Sequence, residues 1–294
     1  MKKLIITVAL FVFMSGMYLS AQAEHEFSVY AGGGLSSLSY KLSSGNASKG
    51  GGGDFGVGYT YFLDRERAVE TGTVFHEFWG VYTGLGISVY NAKAKLNNVE
   101  TVTANLRDSE NDLFDLHTTL SGYKETQSAI FLTIPVMAHF QMAPFYVMGG
   151  IKAGIPLSGK YKSKNATLIN EGWYPEKQNW AKTQTFAGYG SFRGKDFDGK
   201  LDLGLSMMLA FEAGMSWSIN SAYLLYGGAY FDYGLNNIAK GDNKKFINYV
   251  ATDAENFTTN SVLSSYVDDS NSTAFTSKVN TMAVGIKVRV AFKK

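Results

Sequence analysis

Between Leu201 and Ile219 every odd-numbered residue is apolar: Leu201, Leu203, Leu205, Met207, Leu209, Phe211, Ala213, Met215, Trp217 and Ile219. The even positions carry Asp202, Gly204, Ser206, Met208, Ala210, Glu212, Gly214, Ser216 and Ser218. Successive side chains of a β-strand point to opposite faces, so a period of two predicts a strand with one oily face and one small, polar or charged face.

The same pattern returns along the chain. Met282, Val284, Ile286, Val288, Val290 and Phe292 oppose Lys287 and Arg289, and Ile130, Leu132, Ile134, Val136 and Phe140 oppose His139. Val147, Ile151 and Ile155 oppose Tyr146 and Lys152, and Leu225, Ala229, Phe231 and Tyr233 oppose Tyr226, Tyr230 and Asp232. Glu26–Ser36, Asp54–Leu63 and Trp79–Tyr90 fit more loosely, giving eight predicted strands. Each is long enough for the ~9–11 residues that cross a bilayer. No Asp, Glu, Lys or Arg interrupts the oily faces within these segments. A soluble barrel tolerates charge on its outer face, whereas a charge at mid-depth in lipid costs about 2–4 kcal/mol.

The connections alternate in length. Gln141–Pro144 and Asn220–Ser221 are tight turns and Asp64–Gly72 is a longer charged one, while Lys41–Gly50, Asn91–Lys124, Ser158–Lys200 and Asn236–Lys278 are polar and mostly long. Short periplasmic turns and long extracellular loops are the arrangement of outer-membrane barrels. Tyr59, Tyr61, Trp79, Phe145, Trp217, Tyr223 and Phe292 stand near strand ends, where interfacial girdles form. Met1-Lys2-Lys3, an apolar stretch to Met14 and Ala21-Gln22-Ala23 read as a secretory signal peptide over 1–23, leaving a barrel domain over 24–294. With no cysteine, disulfides, thiolate metal sites and lipid attachment through an N-terminal Cys are excluded. A net charge of +2 without a basic cluster argues against nucleic acid as a partner.

The stretches Glu26–Gly34, Ile134-Pro135-Val136 and Leu225–Asn237, with the closing strand to Phe292, resemble the OmpA-like eight-stranded outer-membrane barrels in their Bacteroidetes-type version. The resemblance implies an all-β, closed, antiparallel up-and-down transmembrane β-barrel in the cell outer membrane. Outer-membrane lipid, lipopolysaccharide and the barrel-assembly machinery are its implied partners. Such barrels often precede a peptidoglycan-binding domain; this chain stops at its last strand, so that role is not carried over.

An eight-stranded barrel is just wide enough for side chains to fill. Inward charges must then pair or meet water. Counting residues from the turns places Lys152 and Glu212 at similar heights, and predicts a luminal ion-pair cluster of Glu212 with Lys152 and Arg289, with Asp232 and Lys287 nearby. Its bland role is a plug; its functional one, a gate. Trp173, Tyr174 and Trp180 form a possible contact patch in a loop. His139 lies on an inner face near a turn, His117 in a long loop, His76 after the charged turn and His25 at the mature N-terminus, and none has an evident nucleophile and orienter beside it. Asp108, Glu110, Asp112 and Asp115 lack calcium-loop spacing, and Gly32–Gly34 and Gly50–Gly53 lack the phosphate-loop pattern. No cofactor or metal is expected. The leading expectation is a non-enzymatic barrel that acts through its surface loops; a narrow channel is the alternative, and a lipid A-modifying enzyme the second.

Overall fold

A computed structural model describes residues 25–63, 77–164, 166–220, 222–240, 244–248, 251–266, 274–276 and 278–293. The expected signal peptide, His76 and the turn Asp64–Gly72 lie outside these residues. Eight long strands form the barrel: β1 (His25–Ser39), β2 (Gly51–Phe62), β3 (Glu77–Lys95), β4 (Lys124–Met142), β5 (Phe145–Lys164), β6 (Ser206–Ser218), β7 (Tyr223–Gly234) and β8 (Asn280–Lys293). Each pairs antiparallel with its chain neighbours, and β1 also pairs with β8, which closes the sheet. Closure leaves no wall edge exposed, the condition lipid imposes on a backbone.

The register fixes the barrel's dimensions. Starting at Glu26 and stepping through Thr60, Tyr82, Met137, Gly150, Ala210, Asp232 and Ala283, the path returns to β1 at Ser36, ten residues further on. For eight strands that stagger tilts them by about 40° and gives a radius of about 8 Å. Backbone and side chains fill such a cylinder.

Side chains alternate across the wall. Val29, Val57, Val81, Val136, Val147, Phe211, Phe231, Ile286 and Val288 are exposed on the outside, with Ile286 at 73 %. This apolar belt encircles the barrel and requires an apolar surround. At the turn end it carries ring pairs in tilted or edge-on contact: Phe27 against Tyr59 (5.2 Å), Trp79 against Phe140 (4.6 Å) and Tyr223 against Phe292 (5.3 Å). Amphipathic rings of this kind sit where hydrocarbon gives way to headgroups.

One part of the alternating run departs from expectation. β6 begins at Ser206, and Leu201 and Leu203, expected on the oily outer face, are 7 % and 5 % exposed. There the chain has crossed onto the open end: Leu201 donates its amide to Gly159, and Leu203 bridges to Ala239. Both residues pack in a cluster with Tyr161, Ile238, Phe246, Leu263 and Phe275. A membrane belt and a loop core both demand apolar side chains, so the periodicity ran through a change of environment.

The long loops are themselves structured. Val99–Arg107 and Leu113–Ser121, between β3 and β4, pair with each other. Leu113–Ser121 then pairs with Thr167–Tyr174, which lies between β5 and β6 and takes Asn179–Ala181 and Gly190–Arg193 as further partners. Two loops far apart in sequence thus share one five-stranded sheet beyond the wall. The loop between β7 and β8 covers the barrel's open end with Phe246, Ile247, Phe257, Val262 and Leu263 buried.

Candidate functional site

The lumen is filled by a charged network. Glu212 on β6 accepts from Arg289 Nη2 at 2.8 Å and from the Tyr146 hydroxyl at 2.9 Å, and lies 3.2 Å from Lys287 Nζ. Lys152 on β5 donates to Asp232 at 2.5 Å. Asp54 on β2 stands 3.3 Å from Lys287 and 3.8 Å from Lys152. All six side chains are buried. Three carboxylates and three cations neutralise one another, which makes their removal from water tolerable.

Aromatic rings complete the packing. Lys287 Nζ lies over Tyr30 (4.9 Å) and Tyr230 (4.7 Å), and the Arg289 guanidinium over Tyr226 (4.7 Å) and Tyr82 (5.0 Å). Glycines on the inner face admit these rings: a Cβ at Gly86 would collide with the Tyr30 hydroxyl, and one at Gly58 with the Tyr82 ring. The void between Tyr30, Tyr82, Lys152, Glu212, Asp232 and Lys287 measures only 10 Å³. That is about the space of one water.

The expected residues do converge here, with a different pairing. Lys152 meets Asp232 and Asp54 rather than Glu212, because Lys152 sits opposite Met208 while Glu212 sits opposite Met148. Counting heights from the turns ignored this stagger. Asp54 escaped notice because the loosely alternating β2 gave little warning that its even positions point inward.

Nearer the turns, Gln141 donates to Ser216 (2.9 Å) and Tyr226 donates to Glu26 (2.9 Å). His139 is buried among Phe62, Tyr146 and Tyr226. His25 stacks on Tyr59, and His117 stands edge-on to Trp180.

At the opposite end the cap is held by a buried carboxylate. Glu125 lies above the apolar belt, where the neighbouring outward positions are Lys124 and Thr126. It accepts from Tyr123 (2.6 Å), Gln127 (2.7 Å), Ser261 (2.5 Å) and the Val262 amide (3.0 Å). Burial pushes its carboxyl above the ordinary glutamate value, and these donors pull partly against the shift. Two of the four donors belong to the β7–β8 loop.

The shared loop sheet carries an open cleft. It measures 570 Å³ and is lined among others by Arg107, Phe114, Tyr174, Lys177, Asn179 and Tyr189. Phe114 stacks on Tyr174 at 5.4 Å, and the Tyr174 and Tyr189 hydroxyls bond at 3.0 Å. Asp108 caps its own hairpin by accepting from the Glu110 and Asp112 amides, Asp112 pairs with Lys177, and Asp115 accepts from the Asn105 amide. The acidic residues therefore build the turn.

Trp180 links the three aromatic residues of the expected patch, Trp173, Tyr174 and Trp180: it contacts Trp173 and lines the cleft together with Tyr174. Trp173 and Trp180 face each other across the hairpin at 5.1 Å, with Lys182 Nζ 5.0 Å from the Trp180 ring. Tyr174 points to the face of its strand opposite Trp173, because neighbours in a strand alternate, and stacks on Phe114 in the cleft.

The sequence matches the family described as "Outer membrane protein beta-barrel domain" over residues 20–240. Among solved structures it is similar to Ail, the attachment invasion locus protein of Yersinia pestis, whose structure is in complex with the heparin analogue sucrose octasulfate. The identity is 12 %, over 93 % of this chain and 99 % of that one, with a TM-score of 0.31. No curated protein matches.

Proposed function

The chain belongs to the outer membrane protein β-barrel domain family, and we propose that it is a non-conducting, non-enzymatic barrel that carries a folded recognition platform on the cell surface. The turns face the periplasm, and the loop sheet and cap face outward. The observation that carries this reading is the contrast between the two ends of the molecule's interior. The lumen is closed by paired charges around a void of 10 Å³, while the loop sheet holds an open cleft of 570 Å³. A gate needs a path, and neutral, densely packed cores resist opening one. A catalytic site needs a nucleophile, base and orienter together; the carboxylates near the loop end are instead committed to turn and cap contacts.

Two measurements test the proposal. In planar bilayers the purified chain is expected to give no steady channel current; large, sustained openings would overturn the plug. Protease added to intact cells is expected to cut the tip around Pro175–Gln178 and Phe186, which is 85 % exposed. Protection of these bonds in intact cells, with cleavage after lysis, would reverse the orientation.

A further inference from the structure

Outside the barrel, above the apolar belt, lysines align on adjacent strands. Lys95 on β3 is directly opposite Lys124 on β4, which is directly opposite Lys164 on β5. One outward step lower, Lys93 and Lys162 flank Thr126. Below them Lys160 neighbours Lys200. All seven side chains are exposed, because the intervening Ala92, Ala94, Glu125, Gln127, Tyr161 and Ser163 take the inward positions.

Side chains directly opposite on neighbouring strands have Cβ atoms about 4.5–5.5 Å apart, so like charges there repel. Among the described residues the only acidic partners of these lysines are Asp198, 3.6 Å from Lys162, and Asp196, 3.7 Å from Lys164. Both pairs are solvent-exposed and weak. Among the described residues, the wall around β6, β7 and β8 has no comparable row at this height. A chain with a net charge of only +2 has gathered its surplus on one flank.

Position identifies the anion. Lys160 is level with Ser128, two residues along β4 from Ile130. At about 3.3 Å per residue, the lowest row stands about 7 Å along the strand from the oily face. The lysines look sideways from the wall, away from both lumen and platform cleft. Their stems can lie on the apolar surface while the ammonium groups rise to headgroup level. We infer that this ladder is a binding site for phosphate groups of lipid headgroups in the adjoining leaflet, several lysines sharing each phosphorylated lipid. The site is independent of whatever the platform binds.

The test uses the full folded chain in nanodiscs of phosphatidylcholine, with or without phosphatidylglycerol. Wild type is expected to melt several degrees higher with the anionic lipid and to retain it in native mass spectrometry, the gain shrinking with added salt. The K95Q/K124Q/K164Q variant should lose most of that gain. In phosphatidylcholine alone it should melt no lower than wild type, since repulsion has been relieved. A K240Q/K278Q control should behave as wild type. The inference is overturned if the triple variant keeps the full gain, or if the control loses it equally. It is also overturned if inorganic phosphate in phosphatidylcholine nanodiscs reproduces the gain, which would make the ligand a soluble anion.

Discussion

Replacing Glu212 by leucine removes the acceptor that Arg289 and Lys287 share and leaves the luminal network with one cation too many. Breaking a buried pair from one side costs about 3–5 kcal/mol, because the remaining charge stays desolvated. Asp54 still faces Lys287 at 3.3 Å, whereas Arg289 is paired with Glu212 itself, so most of the loss falls on the guanidinium. With a urea slope of about 3 kcal/mol/M, the unfolding midpoint in lipid vesicles should fall by roughly 1–1.7 M. Tryptophan fluorescence reports the transition, and gel mobility of unheated samples reports the folded fraction. Adding Arg289→Met should recover more than half of the loss, since neutrality returns and the thioether fills the space between Tyr82, Tyr146 and Tyr226. A single variant within about 1 kcal/mol of wild type, or a double variant no better than the single, would refute the account of the network as a mutually neutralised plug.

Other consequences can be checked separately. Gly86→Ala should cost about 1–3 kcal/mol by overpacking against Tyr30, and Tyr30→Phe should recover part of it; urea titration of the two variants and their combination decides. Ile286→Arg, in the belt's most exposed position, should destabilise the vesicle-embedded barrel by about 2–4 kcal/mol, whereas a cost near zero would mean that this face does not meet lipid. Glu125→Ala should leave barrel melting nearly unchanged but speed proteolysis of the β7–β8 loop, measured by fragment mass. Because burial raises the Glu125 carboxyl, the docked cap binds a proton more tightly than the released one. Docking should therefore weaken as pH rises from the ordinary glutamate value through the raised one, and hydrogen exchange in 258–266 should quicken beyond its intrinsic pH dependence.

How much of this could be read from residues alone depends on the range of the interaction. Alternation is local, so all eight wall strands and the inward direction of Lys152, Glu212, Asp232, Lys287 and Arg289 were readable from side-chain parity. Which cation meets which anion depends on the stagger between strands, and no single segment encodes that stagger; counting from the turns alone therefore pairs Lys152 with Glu212 and gives no sign of Asp54. The loop sheet pairs Leu113–Ser121 with Thr167–Tyr174 across an entire wall hairpin, and nothing local announces such a partnership. Leu201 and Leu203 show the converse, a persistent pattern crossing from lipid into a protein interior. The split of Trp173 from Tyr174 was available from parity within one short strand, once that strand was recognised.

The wall is of unequal height: β3, β4 and β5 run for 19, 19 and 20 residues, against 12 for β2 and β7. The loop sheet hangs from the tall side, joined to strands that continue unbroken down into the bilayer. Ladder bonds in such strands lie across the strand direction, so a tug on the platform loads many of them at once instead of peeling them singly. A bound object swept by flow would thus pull against the barrel the way a sail pulls on a mast stepped through the deck.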